Sequence, residues 1–458
     1  MTDLADLTAV DLLAEYRGGL SPVEVAEAVL ARIASKEPTL QAFYTHDPSA
    51  VLAAARESEQ RWRSGSPQGA LDGVPVTIKE NIATESTPVP LGTAATELVA
   101  AAEDAPAAAR LREAGAVFLG KTTMPDYGML TSGLSSFHAT ARNPWDTSRT
   151  PGGSSAGAGA AGAAGYGPLH LGTDIGGSIR LPASFCGLVG LKPSFGRVPV
   201  DPPYIGRVIG PMTKTVADSA LLMKVLSQPD SRDYMDLPPN DISWQDLTFS
   251  PAGVRVGLHL EAGVGLDVSP EVRAAVEEAA RLFESAGVTV SPLDPFVTRE
   301  MLDGLDLFWR TRLWSDLSAL PADRFSKVLP YIVEWARAGG DASGVDVYRG
   351  FSQIDRMSAA AVRATSPYDF VLSPVSPTPA FQADWASPLN DPARPFEHIG
   401  FTVPFNMSGQ PSLSINCGYT ASGLPIGLQI TGRRFDDLGV LRMAALFEQL
   451  RPEQRTAV

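Results

Sequence analysis

The chain has 458 residues, a formal net charge of −14 at pH 7 and an apolar fraction of 44%. That length is enough to bury a large core without disulfide bonds or structural metals, and the acidic balance argues against nucleic acid or an anionic membrane as the main partner. No apolar run reaches the roughly 18 residues that a membrane helix needs. The N-terminus is acidic and lacks the layout of a signal peptide, and Cys186 and Cys417 lie in apolar surroundings. These features are typical of a cytoplasmic protein in a reducing compartment.

The first part of the chain, residues 1–66, is predicted to form a helical arm packed on the core. Residues 21–24 match a capping box with proline at the first helical position. Val25, Val29 and Ile33 follow at helical spacing, so one face of this helix is apolar.

A short apolar strand then ends on a lysine. Val74, Val76 and Ile78 alternate as on a half-buried strand, and Lys79 closes it. Burial disfavours the ammonium form and lowers the pKa of a lysine, so the neutral amine becomes available as a base. The alternative is a surface lysine at a strand end.

Two glycine patterns resemble nucleotide-binding motifs without their structural context. Residues 115–122 match G-x-x-x-x-G-K-[ST], but the variable positions form a buried strand and Pro125 interrupts the helix that should follow. Residues 157–162 match G-x-G-x-x-G, but residues 150–155 before them are not a strand. We interpret the second run as a close-packed helix. A non-enzymatic nucleotide-binding module would rest on these two patterns alone.

The most unusual stretch is 150–193, which is dense in Gly, Ala and Ser. Ser154 and Ser178 each follow a Gly-Gly pair. Such a pair leaves main-chain N–H groups unshielded beside a hydroxyl, as a nucleophile with an oxyanion site requires. The alternative is ordinary glycine turns around a tightly packed sheet. The charged residues of the stretch are Asp174, Arg180 and Lys192.

The remaining organisation predicts one α/β domain with a sheet covered by helices on both faces. Residues 67–227 form the predicted catalytic core, 228–252 a linker rich in Pro, Asp and Ser, and 253–458 the C-terminal part of the same domain. Strands are predicted at 254–259, 288–291, 369–374, 412–417 and 426–431, and helices at 105–115, 215–227, 270–286, through 299–366 and at 436–450. The five histidines are scattered, so neither a metal nor another cofactor is predicted.

Several of these pieces together resemble the amidase signature family, over roughly residues 8–450. The matching segments are 73–81, 120–122, 143–145, 151–155, 171–193, 210–219 and 423–432. The resemblance implies a single large α/β domain around a mixed, twisted sheet. It also implies a Ser–cis-Ser–Lys mechanism in place of Ser-His-Asp. The chain departs from the family at Ala156, where a second Gly-Gly pair is usual.

The resemblance also implies roles for single residues. Ser178 would be the nucleophile, Ser154 after a cis peptide from Gly153 would relay the proton, and Lys79 would be the base. The oxyanion would be held by the main-chain N–H groups of Ile175, Gly176, Gly177 and Ser178. The loop would be held by Asp174 and Arg180, and Ser155 would support Lys79.

We therefore expect an amidohydrolase that cleaves C–N bonds of small-molecule amides, with aryl carbamates, urethanes and esters as further candidate substrates. It would act as a monomer or homodimer without nucleic acid. The expected pocket is apolar and is formed by Tyr127, Gly128, Met129, Thr131 and Phe401, with Phe308 and Trp309 as further candidates.

The alternative is an amidotransferase subunit that works on charged tRNA within a complex and shares the same Ser–Ser–Lys centre. Three features argue against it. Leu181 stands at a position where those subunits resemble each other in carrying glutamine, and residues 199–210 resemble the corresponding segment of stand-alone amidases. The chain is also acidic.

Overall fold

The computed structural model describes residues 3–457. Its strands are β1 (Phe43–Thr45), β2 (Pro75–Lys79), β3 (Val117–Thr122), β4 (Leu169–Asp174), β5 (Val189–Lys192), β6 (Val208–Thr213), β7 (Arg255–Leu258), β8 (Thr289–Pro292), β9 (Phe370–Pro374), β10 (Ser412–Tyr419) and β11 (Pro425–Gly432). They form one 11-stranded sheet in the order β1-β3-β2-β4-β6-β5-β10-β11-β9-β7-β8.

Helices flank this sheet. They are α1 (Ala9–Gly18), α2 (Pro22–Leu40), α3 (Pro48–Arg63), α4 (Pro106–Glu113), α5 (Ala156–Ala164), α6 (Arg180–Cys186), α7 (Val216–Leu226), α8 (Pro270–Ser285), α9 (Arg299–Ser318), α10 (Ala322–Phe325), α11 (Pro330–Arg337), α12 (Gly344–Thr365), α13 (Val403–Met407) and α14 (Asp437–Leu450). Within residues 3–457, none combines the length and the apolar character needed to cross a membrane.

The sheet is mixed, as predicted. Strands β3, β2 and β4 run parallel, and so do β9, β7 and β8. Between these two groups the neighbouring strands are antiparallel, from β4 through β6, β5, β10 and β11 to β9. The prediction of a single α/β domain with a mixed sheet is therefore confirmed.

The sheet joins the two long segments on either side of residues 228–252. Leu191 of β5 stands opposite Leu413 of β10, so both segments contribute to one hydrogen-bonded surface. Residues 228–252 contain no helix or strand, yet Trp244 is buried in the main apolar core. This segment therefore packs on the domain and does not act as a free tether.

The N-terminal arm differs from the purely helical expectation. Its helices α1, α2 and α3 are present, and Ser21 with Glu24 forms the predicted capping box. The arm also supplies an edge strand, β1, in which Phe43 pairs with Thr122 of β3. The arm is thus fixed both by side-chain packing and by the sheet.

A second apolar cluster lies apart from the main core and is built mainly from α9, α11, α12 and the segment before α13. Ile175, which directly follows β4, packs against this cluster. In open α/β sheets, the crevice at the carboxyl ends of parallel strands is the usual ligand site. Lys79 and the loop that carries Ser178 lie at this end of the sheet, where β2 and β4 end.

Candidate active site

Lys79 is the last residue of β2 and is fully buried. Its Nζ lies 2.8 Å from Ser154 Oγ and 2.9 Å from Thr173 Oγ1. Burial lowers the pKa of Lys79 to about 7, although the charges of Glu80 and Asp174 act in the opposite direction. A large fraction of the amine is therefore neutral near pH 7, and its lone pair can accept a proton from the Ser154 hydroxyl.

Ser154 is held at the end of a tightly enclosed loop. The peptide bond between Gly153 and Ser154 is cis. A Cβ at Gly153 would lie 2.7 Å from both the N and the O atom of Ser132, so no side chain fits at that position. The Ser154 side chain is almost completely buried and faces Lys79.

Ser178 lies on the loop between β4 and α6, and it is partly accessible. It lines a cleft together with Gly128, and a Cβ on Gly128 would lie 3.3 Å from Ser154 Oγ. The N–H of Ser155 also donates to the Ser178 carbonyl at 3.2 Å. Gly128 therefore adjoins both the Ser154 hydroxyl and the cleft that Ser178 lines.

The N–H groups of the loop that carries Ser178 are not equivalent. The N–H of Gly177 donates to Asp174 Oδ1 at 2.8 Å, so this predicted oxyanion donor is already engaged. Its φ of +124° lies in the region that favours glycine. The backbone N–H groups of Ile175, Gly176 and Ser178 have no such acceptor among residues 3–457. The loop thus offers three donors where four were expected.

Asp174 and Arg180 form a fully buried ion pair behind the loop. Arg180 Nη2 lies 2.9 Å from Asp174 Oδ1, and its Nε lies 3.0 Å from Oδ2. Burial on its own would raise the pKa of Asp174, but Arg180 holds that pKa well below its usual range. Arg180 also donates to Gln429 Oε1 and Asn406 Oδ1. These contacts fix the loop between β4 and α6.

Ser155 makes no hydrogen bond with Lys79, so direct support of that amine is not seen. Its Oγ lies 3.3 Å from both the N and the O atom of Thr173, and it therefore positions the backbone of β4. Thr173 itself contacts the lysine and was missed in the sequence. A signal existed, since Thr173 stands beside Asp174 at the end of the strand next to β2. Asn406 and Gln429 were also missed, because both lie more than 220 residues from the loop.

The cleft in front of Ser178 is narrow and mainly apolar. Its volume is about 30 Å³. None of its lining residues within 3–457 carries a charged side chain. The lining residues are Gly128, Met129, Leu130, Thr131, Ile175, Gly176, Ser178, Leu181, Trp309, Phe396 and Ile399.

The pocket predictions agree with this cleft only in part. Gly128, Met129 and Thr131 line it, and Thr131 Oγ1 lies 2.5 Å from His398 Nε2. Phe401 does not line it: the ring is buried, with its centroid 5.4 Å from that of His259. Tyr127 is not among the lining residues either, and its half-buried ring joins the second apolar cluster.

Of the two aromatic residues of α9 predicted for the pocket, only one lines the cleft. Trp309 lines the cleft and packs edge to face against Phe396, with ring centroids 5.2 Å apart. Phe308, on the neighbouring side of the helix, packs against Phe351.

The two nucleotide-like patterns have other structural roles. Lys121 lies within β3 and donates to the carbonyl of Ile82, so it does not project from a phosphate loop. Residues 157–162 lie inside helix α5, as predicted, and a loop precedes that helix. Neither pattern forms a nucleotide site.

A family model described as Amidase matches residues 24–441. This chain belongs to the amidase family. The matched range contains Lys79, Ser154, Ser178 and the partners of Arg180, so the resemblance found in the sequence is confirmed for the family and the fold. Amidase signature enzymes are also among its structural neighbours.

Curated relatives of this amidase-family chain include a glutamyl-tRNA(Gln) amidotransferase subunit from Myxococcus xanthus. It is 38% identical over 97% of this chain and 97% of the relative. The protein of the same name from Chloroflexus aggregans is 34% identical over 98% of this chain and 97% of the relative.

Among solved structures, a bacterial aryl acylamidase of the amidase signature family superposes with a TM-score of 0.89 at 28% identity, covering 98% of this chain and 96% of that one. 6-Aminohexanoate cyclic dimer hydrolase gives 0.88 at 26% identity, with 99% of each chain covered. The corresponding glutamyl-tRNA(Gln) amidotransferase subunit from Thermotoga maritima gives 0.79 at 27% identity, covering 100% and 97%.

Proposed function

We propose that this chain hydrolyses the C–N bond of amides through a covalent acyl-enzyme on Ser178. The observation that carries the proposal is the buried Lys79 amine, 2.8 Å from Ser154 Oγ and with a pKa lowered to about 7 by burial. A serine hydroxyl is a weak nucleophile until a base takes its proton. A neutral lysine that acts through a second hydroxyl supplies that base.

In the proposed reaction, Ser178 Oγ attacks the carbonyl carbon while its proton passes to Ser154 and the Ser154 proton passes to Lys79. The negative charge on the carbonyl oxygen is stabilised by the N–H groups of Ile175, Gly176 and Ser178. The Lys79 ammonium then returns a proton through Ser154 to the leaving amine. Water repeats the sequence on the acyl-enzyme and releases the acid.

The cleft suggests the substrate class. Its walls are apolar and include Trp309, Phe396 and Met129, with no charged side chain at the reacting end. Such a lining favours a hydrophobic or aromatic group next to the scissile carbonyl. The structural likeness to an aryl acylamidase supports this class. Aryl carbamates, urethanes and esters are further candidate substrates, since the same attack breaks their acyl bonds.

Labelling with a fluorophosphonate tests the nucleophile. We expect the protein to gain the mass of one label on the peptide that contains Ser178, and Ser178→Ala to lose both the label and amide turnover. Ser422→Ala, a change at an exposed hydroxyl in a turn, is the control and should keep both. A label on any other residue would contradict the assignment.

A second candidate is an amidotransferase subunit that releases ammonia from an amide for use on charged tRNA. The curated relatives, named as glutamyl-tRNA(Gln) amidotransferase subunits at 33–38% identity, support this candidate more strongly than they support a stand-alone hydrolase. Leu181 and the net charge of −14 favour the hydrolase. Structural similarity is also higher to the aryl acylamidase, with TM-scores of 0.89 against 0.79.

Two measurements separate the candidates. A hydrolase should turn over anilides as a monomer or homodimer and should not retain tRNA in a gel-shift assay. An amidotransferase subunit should release ammonia from glutamine far faster than it cleaves any anilide, and should bind partner subunits. Glutamine turnover with inert anilides would overturn the first candidate.

A further inference from the structure

A pair of arginines lies beside the cleft on the helical side. Arg312 follows Trp309 by three residues on α9, so the two side chains share a face of the helix. The Nη2 atom of Arg312 lies 3.7 Å from the Sδ atom of Met129. Because Trp309 and Met129 both line the cleft, the Arg312 guanidinium stands at its rim.

Arg207 is the second member of the pair, and Tyr204 lies against both. The Arg312 Cζ atom is 4.7 Å from the centroid of the Tyr204 ring, and the Arg207 Cζ atom is 5.5 Å from it. The N–H of Arg207 donates to the Tyr204 carbonyl at 2.9 Å, which closes a turn just before β6. Arg207 Nη1 also donates to the Pro202 carbonyl at 3.3 Å, whereas the cation–π contact itself uses no N–H donor.

In the described part of the chain, neither arginine has an acidic partner. Within residues 3–457 no carboxylate oxygen lies within 4.0 Å of either guanidinium, whereas their neighbour Arg310 pairs with Asp306 at 2.8 Å. Arg312 Nε and Tyr204 Oη are buried and have no hydrogen-bond partner among the residues that the structure describes. Burial first, and then the charge of Arg312, lower the pKa of Arg207.

The charged and titratable groups around this pair do not neutralise it. Burial is the main cause that raises the pKa of the Tyr204 phenol, and Asp316, one turn further along α9, adds a smaller contribution to that rise. Burial is the main cause of the lowered pKa of Lys79, and the positive charge of Arg207 lowers it further. In a chain with a net charge of −14, two adjacent unpaired cations beside a cleft are a local excess of positive charge.

We propose that Arg207, Tyr204 and Arg312 form a binding site for a carboxylate on the substrate, placed at the rim while the scissile carbonyl lies at Ser178. Guanidinium forks match the planar geometry of a carboxylate and bind it with charge-assisted hydrogen bonds. The substrate class is then an amide with an apolar middle and a carboxylate at its far end. This inference rests on the proposed amide hydrolysis and deepens it.

Paired amides of equal length test the site. Succinyl 4-nitroanilide is compared with butyryl 4-nitroanilide, and glutaryl with valeryl 4-nitroanilide, so that each pair differs in its terminal carboxylate. Affinity is measured by calorimetry on Ser178→Ala, which separates binding from turnover. We expect the carboxylate amide to bind about tenfold or more tightly in at least one pair, and higher ionic strength to weaken only that member.

Substitutions then locate the effect. In the Ser178→Ala background, Arg312→Gln and Arg207→Gln should each bring the affinity ratio of that pair towards one. Arg349→Gln, at an exposed position of α12, is the charge-matched control and should keep the ratio. Equal affinities within both pairs, or a ratio that neither arginine variant changes, would overturn the site. Loss of anilide turnover by the parent enzyme would instead count against the hydrolase proposal.

Discussion

The two sides of the cleft are held by different forces. The sheet side, which consists of Lys79 and residues 173–180, is fixed by directional bonds: a buried ion pair, backbone N–H groups bound to Asp174, and a lysine with two hydroxyl partners. The helical side, α9 with residues 396–399, is fixed mainly by apolar packing such as that of Trp309 on Phe396.

This difference indicates which side of the cleft determines the rate of the reaction and which determines the choice of substrate. Hydrogen bonds place reacting atoms within a few tenths of an ångström, while aromatic and aliphatic contacts shape a space that can change. Changes on the sheet side should therefore lower turnover of every substrate. Changes on the helical side should alter which substrates are preferred.

The largest effect is expected from removing the base on the sheet side. Lys79→Ala should lower kcat/KM for an anilide by roughly 10²–10⁴-fold. It should lower kcat/KM for the 4-nitrophenyl ester of the same acid much less, because a phenolate leaves without a proton while an amine does not. Turnover of the two substrates by wild type and variant is the measurement. Lys224→Ala, at an exposed lysine of α7, is the control, and equal losses on both substrates would contradict a proton shuttle.

The pH profile should show a smaller but graded effect. Since the neutral Lys79 amine is the active form and its pKa is about 7, anilide turnover should rise with pH through about pH 7 and level off above it. Below that midpoint it should fall about tenfold per pH unit. The charge of Glu80 raises the pKa of Lys79, so Glu80→Gln should move the midpoint to lower pH.

Exposed Glu85 provides the matched control for that shift, and Glu85→Gln should leave the midpoint in place. The profiles are measured as kcat and kcat/KM between pH 5 and 9. A rate that falls as pH rises through this range would show that the ammonium is the active form, against the proposed role.

The smallest effect is expected on the helical side. Trp309→Ala should enlarge the cleft and raise kcat/KM for bulky acyl anilides severalfold relative to acetanilides, because the indole forms part of the wall. Trp314→Ala, on the same helix but packed against Phe325, controls for loss of an aromatic side chain. A uniform change across acyl sizes would show that the two sides of the cleft are not separable in this way.

The sequence predicted the parts whose signals are local. Gly-Gly pairs mark the serines, and a strand that ends on a lysine marks Lys79. Lys79 ends β2 and the Ser178 loop follows β4, and these are neighbouring parallel strands. Ser154 reaches Lys79 from the loop before α5. The Gly/Ala run of α5 and most elements after residue 253 were also predicted to within a few residues.

The misses have physical causes. Strand β6 contains Gly210 and Pro211, two residue types that are typical of turns. Proline has no N–H group to donate. Pro211 lies one residue beyond the last residue of β6 that pairs with β5, so the pairing with β5 loses no hydrogen bond. Phe401 is close in sequence to Phe396 and Ile399, which line the cleft. Only the structure shows that its ring packs against His259 and does not line the cleft. The bond from Asp174 to the Gly177 N–H depends on loop geometry that no pattern of residue types contains.

The guanidinium of Arg180 is bound by the Thr402 carbonyl, Asn406 and Gln429, all of which are synthesised long after it. A ribosome that has completed residues 1–400 has therefore made every proposed catalytic group but none of these three anchors. At that length, the growing polypeptide would carry Ser178 on a loop that Asp174 holds but that lacks its C-terminal anchors. The fixed geometry of the proposed active site is thus completed only by the last part of the chain to be made.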